Sequence, residues 1–275
     1  MSAPRRAAAR RRHRFAAALA LAAAGAATGT LLAPAAARAQ DSLTVSLAHQ
    51  QIWRGVHFGR GLTAEVNLDA GLFGHARTTI GRFGVRAGGE LVAPLSDVSG
   101  ARRAGEHYGL RGRAYVCLDG SSCEWAVEAG ADALFRPHDP GGNEASAEVV
   151  GGLRGLWIQE RLGITLVPST TIRRDLDAFD GWMWELGLAN LIGRSDTKVA
   201  IAARVRFADY GTWGASPRDF GWHSGELTVG VRQARPLESG PLVSWTWLLE
   251  GGGSWAADAI GGSVGFLRLG VGLIR

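Results

Sequence analysis

The feature that most constrains this chain is a strict alternation of apolar side chains with charged or small ones, repeated in segment after segment. Leu43, Val45 and Leu47 alternate with Thr44, Ser46 and Ala48, and Phe83, Val85 and Ala87 alternate with Arg82, Gly84 and Arg86. Leu110, Gly112 and Ala114 alternate with Arg111, Arg113 and Tyr115, and Val199, Ile201, Ala203 and Val205 are interleaved with Lys198, Arg204 and Arg206. Period two puts each set on one face of a β-strand, and no window shows the sustained 3.6-residue rhythm of a helix. The polar set carries full charges, so one face of the sheet is strongly ionic.

Twelve such segments are expected, at 42–52, 62–72, 82–93, 107–117, 123–135, 146–157, 162–173, 181–192, 197–207, 222–234, 242–254 and 261–274. Most are twice as long as the five or six residues typical of globular strands, and they match the nine to eleven or so needed to cross a bilayer at a tilt. The links alternate in length. Those near 94–106, 136–145, 174–180 and 208–221 are long, whereas those near 118–122, 158–161, 193–196 and 235–241 are short. Short periplasmic turns alternating with longer outer loops are the rhythm of an outer-membrane barrel; 73–81 is long for its place and 255–260 short. Backbone groups in hydrocarbon have no water to bond, so such a sheet must close. The predicted fold is therefore all-β: a closed antiparallel transmembrane β-barrel of about 12 strands with up-and-down topology.

The amino end is read as an export signal. Arg5, Arg6, Arg10, Arg11, Arg12 and Arg14 precede an apolar run from Phe15 to Ala33, and Ala37-Arg38-Ala39 forms a cleavage motif. Residues 1–39 are thus the signal peptide and 40–275 the barrel, placed in the bacterial outer membrane. Subtracting the leader's seven arginines from 30 basic residues, against 25 acidic ones, turns the formal charge from +5 to −2. The basic pI belongs to the leader, and nucleic acid is not an expected partner. Cys117 and Cys123, the two cysteines of an exported chain, are expected to form a disulfide; two thiols without further ligands fall short of a metal site.

If the ionic face lines the interior, its near-equal positive and negative groups can pair across a narrow lumen. The pore-lining candidates are Arg86, Glu90, Arg111, Arg113, Glu128, Arg154, Glu185, Arg204, Arg206, Arg232 and Arg268. The opposite set, including Leu68, Val85, Leu110, Val127, Leu186, Val205, Val229, Trp247 and Val271, then faces lipid. A soluble barrel would reverse this polarity, and alternation alone does not say which set points in. Tryptophans near strand ends fit interfacial girdles: Trp53, Trp182, Trp213, Trp222 and Trp255 at the outer side, Trp125 and Trp157 at the periplasmic side.

From Ser46 to Phe73 the sequence reads SLAHQQIWRGVHFGRGLTAEVNLDAGLF, a first alternating strand ending in Trp53-Arg54-Gly55 and a second following it. This stretch resembles the TorF-like porins, a resemblance of about fifty residues at the amino end that implies an outer-membrane barrel with a channel role. The closing strand ends in Ile274-Arg275, where most such proteins end in an aromatic residue. A rival reading, a lipid-modifying barrel enzyme, would draw on His223, Ser224, Asp219, His57, His107 or His138 near the outer loops. No nucleophile elbow, metal-binding HExxH or phosphate loop is present, so no catalytic residues and no cofactor are expected. The expected role is a porin passing small polar solutes by diffusion, with the barrel-assembly machinery and outer-membrane lipid as partners; a structural or adhesive protein is the other alternative.

Overall fold

A computed structural model describes residues 42–54, 56–78, 81–96, 106–118, 123–137, 145–176, 181–193, 196–209, 220–236, 244–256 and 263–274. The signal-peptide assignment lies outside these residues. The strands are β1 (Ser42–Trp53), β2 (Val56–Thr78), β3 (Gly81–Pro94), β4 (His107–Cys117), β5 (Trp125–Phe135), β6 (Ala145–Gly155), β7 (Trp157–Gln159), β8 (Ile164–Asp175), β9 (Trp182–Ile192), β10 (Thr197–Ala208), β11 (Gly221–Pro236), β12 (Ser244–Ala256) and β13 (Ser263–Ile274). Each pairs antiparallel with its neighbours in sequence, save that β6 and β7 both pair with β8 and not with each other, and β13 returns to β1, with Ser42 opposite Ile274 and Ala48 opposite Arg268. The sheet is closed.

β6 and β7 are one stave. Both pair with β8 in a single continuous register, Arg154 opposite Ser169 and Trp157 opposite Leu166. The break falls opposite Pro168, which has no N–H to give to the ladder. The barrel therefore has twelve staves, the expected number and topology.

The strand ends agree with the sequence reading except around β2. That strand runs from Val56 to Thr78, well beyond the 62–72 expected, so the link to β3 is only 79–80 and ceases to be anomalously long. Register shifts between Gly71, Phe73 and Ala76 explain the difference, since a bulge inserts an extra residue and erases the period-two signal. The links at the end holding both termini are 79–80, 118–124, 160–163, 193–196 and 237–243, and at the opposite end 95–106, 136–144 and 209–220 are longer. The termini therefore mark the side expected to face the periplasm.

At that end the disulfide Cys117–Cys123 closes the β4–β5 turn, and the Leu118 N–H donates to the Trp125 carbonyl. Barrel closure does not pass through this turn. Replacing both cysteines by serine is expected to cost about 2 kcal/mol, the loop entropy such a short bridge removes from the unfolded chain, while leaving a fully assembled barrel. A shifted urea midpoint with unchanged heat-modified gel mobility is the readout.

The outer surface is apolar. Leu68, Leu110, Val127, Leu186, Val205, Val229, Leu269 and Val271 are all exposed on it. Trp125 and Trp157 are exposed near the termini end and Trp182, Trp222 and Trp255 near the other, forming the two girdles; Trp213 lies outside the described residues. Polar groups on this face are satisfied locally: Trp184 Nε1 donates to Thr170 and Trp247 Nε1 to Gln233, both at 2.6 Å. Arg174 stacks on Trp182, 5.3 Å from its ring centre, at the rim where a guanidinium can meet headgroups.

Candidate channel lumen

Register fixes which residues share a face, and one long contact fixes which face is inside. The tip of the β1–β2 hairpin carries Arg54 in the left-handed region, φ 51°. Its guanidinium donates to both carboxylate oxygens of Glu148 on β6, at 2.5 and 2.7 Å. Its carbonyl lies 3.4 Å from the Ser224 hydroxyl on β11. β1 and β6 are far apart around the sheet, so they meet only across the interior. Glu148 therefore points inward, and so does every residue of its parity.

That parity comprises the ionic set. Following hydrogen-bonded neighbours, Glu148 shares a row with Asp132 on β5, Arg111 on β4, Gly88 on β3 and Asp69 on β2, a row that slants along the barrel because the strands are tilted. A second row joins Arg206, Glu185, Thr171, Gly152, Glu128, Tyr115 and Gly84, and a third joins Glu226, Arg204, Gly187, Ser169, Arg154, Ala126, Cys117 and Arg82. Arg113 and Arg86 lie opposite each other, Glu90 faces Gly109, Arg268 faces Glu250, and Arg232 faces Lys198 and Leu248. All eleven residues picked out by sequence thus fall on the interior face. Two glycines make room there: Tyr115 lies across Gly84 and Arg111 across Gly88, so closely that a Cβ at either position would overlap the neighbouring side chain.

Most of these charges are paired. Arg206 bonds Glu185 at 2.6 Å and Glu226 at 3.2 Å, and Arg204 reaches Glu226 at 3.2 Å. Arg268 bridges Glu65 and Glu250 at 3.0 and 2.8 Å. Arg113 and Arg173 share Asp132 at 2.6 and 2.7 Å, and Arg173 also approaches Glu148 at 3.7 Å. Looser contacts join Arg86 to Glu128 at 3.7 Å, Arg111 to Glu90 at 3.8 Å, and His107 to Glu90 at 3.4 Å. Each strand-to-strand pair offsets the desolvation of its two members, which a lone buried charge does not escape. Arg111, Arg113, Arg204 and Arg206, the most concentrated basic group in the sequence, are all engaged this way.

Arg54, like Glu148 and Arg173, is an interior residue that sequence reasoning did not single out. The hairpin carrying it leaves the wall: pairing of β1 with β13 stops at Ala48, and the register with β2 shifts at Gln50 and again at Ile52. His49 Nδ1 then accepts the Leu267 N–H, 2.9 Å, that β1 no longer bonds. Thus the stretch between the expected strands 42–52 and 62–72 is a tight turn tipped inward followed by the start of β2, and its arginine reaches across the barrel interior. The only sequence cue was the Arg-Gly pair at a strand end. Two cavities of about 220 and 230 Å3, the first lined by Arg54 itself, share Arg111, Arg113 and Arg173 as lining.

The residues weighed for the enzyme reading are arranged differently. A bulge on β11, where Arg206 faces Ser224 but Phe207 faces Trp222, inserts His223 and buries it. His223 Nδ1 lies 3.1 Å from the Ser224 hydroxyl. His107 is buried beside Glu90. Asp219 and His138 lie outside the described residues.

No protein-family model and no curated protein matches the sequence. Among solved structures, the chain is similar to an outer membrane channel from Pseudomonas putida F1, at 10% identity and TM-score 0.55, with 89% of this chain and 99% of that one covered. It is also similar to the NanC porin, at 10% identity, 83% and 98% coverage and TM-score 0.46. The transport unit of the autotransporter AIDA-I from Escherichia coli aligns at 10% identity, 92% and 96% coverage and TM-score 0.42. At such identity the first likeness establishes the fold alone, and the other two carry no argument.

Proposed function

We propose that this chain is an outer-membrane channel through which small polar solutes diffuse passively, exported by its leader and inserted by the barrel-assembly machinery. The observation that carries the reading is the ionic interior, held as paired charges around cavities rather than packed with apolar side chains. An apolar filling would serve a structural barrel equally well and at lower desolvation cost. Charges kept along the whole interior keep it wet, and a wet lumen is what a polar solute crosses. The clasp of Arg54 on Glu148 makes the path narrow.

Detergent-solubilised mature protein, added to planar bilayers, tests the reading. Reproducible conductance steps are the expected result. Their absence, together with turnover of phospholipid or lipopolysaccharide by the same preparation, favours the lipid-modifying alternative and directs attention to His223 and Ser224. Absence of both leaves a structural or adhesive barrel.

A further inference from the structure

The interior charges divide into two levels. Around the Arg54 clasp, carboxylates and guanidiniums meet in close pairs. Toward the end holding the termini they do not. Arg82 near the start of β3, Arg154 in the last part of the β6–β7 stave, Lys198 near the start of β10 and Arg232 near the end of β11 have interior parity, and none has a side-chain ion pair or hydrogen bond among the described residues. Lys198 and Arg232 stand directly opposite each other on adjacent strands. Like charges so placed destabilise a sheet, and no carboxylate of the described residues separates them. On the opposite wall Arg82 and Arg154 share one hydrogen-bonded row through Cys117 and Ala126.

Among the described residues, the carboxylates toward this end are Asp69, opposite Ser42, and Glu124, just before β5; Glu160 in the β7–β8 turn is followed at once by Arg161, and Asp196 sits exposed in the turn before β10. None of these lies within ion-pair distance of the four cations. A ring of side-chain charge in a confined aqueous passage acts on permeating ions more strongly than the same charges on an open surface, because low-dielectric walls focus its field. Paired charges deeper in the lumen largely cancel. Selectivity is therefore set where charge is left over, as in pores whose Lys and Arg rings choose anions.

We propose that the channel's charge preference is fixed at its periplasmic mouth by Arg82, Arg154, Lys198 and Arg232, and that the preferred solutes are small oxyanions bearing carboxylate or phosphate. The inference rests on the channel reading. Lys198 and Arg232 form the inner contact, since two facing cations with free donors are bridged by one anion that accepts from both. Arg82 and Arg154 supply attraction from the other wall.

Two measurements separate this inference from the channel reading itself. In bilayers under a KCl gradient, the wild-type reversal potential should have the sign of anion preference. The variant carrying Arg82→Gln, Arg154→Gln, Lys198→Gln and Arg232→Gln should move it to zero or beyond, with assembly checked by heat-modified mobility. Calorimetry with inorganic pyrophosphate, on detergent-solubilised barrel, should show weak binding by wild type and none by the variant. A cation-preferring wild type, or a selectivity unchanged by the four substitutions, overturns the proposal. If no current is seen but pyrophosphate binding is present and lost in the variant, the channel reading fails and the anion site stands; if neither is seen, both fail.

Discussion

Arg54→Ala is expected to raise single-channel conductance severalfold, the largest change any one lumen substitution should produce. The wild-type side chain crosses the barrel interior to Glu148 as a two-point fork and holds the β1–β2 tip inward, while the Ser224 hydroxyl secures the backbone. Without the guanidinium, Glu148 keeps only its 3.7 Å contact with Arg173, and its side chain, 1% exposed in the closed arrangement, must recruit water. In a dry interior, removing one partner of a buried pair costs about 3–5 kcal/mol. Here hydration from the widened lumen offsets much of that loss. The barrel should therefore assemble with a lowered thermal midpoint and a larger pore.

Arg54→Lys separates fork geometry from charge. An ammonium is a point charge on a flexible stem and cannot hold both carboxylate oxygens in the planar geometry of a guanidinium. Its conductance should fall between those of wild type and Arg54→Ala, with more open-state noise as the tether makes and breaks. A conductance in Arg54→Ala equal to wild type would mean that the clasp does not limit the path.

The elements most legible in sequence were those where one face meets hydrocarbon and the other meets ions, because alternation then survives along the whole strand. β4, with Leu110 outward and Arg111 inward, and β10, with Val205 outward and Arg206 inward, are examples. Legibility failed where pairing departs from period two. The bulges near Gln50 and Phe73 hid both ends of β2, and the extra residue His223 on β11 turned a side chain of the wrong parity inward. Arg54 escaped notice for a different reason: its position depends on the direction a hairpin tip leans, which no local pattern encodes. The charged set was readable, but its division into paired and unpaired members was not, since ion pairs such as Arg268–Glu65 join residues 203 apart in the chain. The disulfide was readable because both cysteines flank one short turn.

Placing an arginine at two consecutive positions of β10 should give opposite outcomes, and this tests the orientation of the whole wall. Ile201 is exposed on the outer face between Asn190 and Val229, whereas Ala202 turns inward between Ala189 and Thr228. Ile201→Arg puts a guanidinium against acyl chains near mid-membrane, at a cost of about 2–4 kcal/mol. Because folding is coupled to insertion, that loss should appear as a large unassembled fraction on unheated gels and a lower urea midpoint. Ala202→Arg adds the same side chain to the ionic interior face, which on the channel reading is wet and solvates it. It should assemble normally and reduce conductance by partial occlusion. Equal damage from both would point to simple overcrowding of β10, and damage from Ala202→Arg alone would turn the barrel inside out. The contrast arises from one step along a strand, because in a two-sided wall the parity of a position decides which solvent its side chain meets.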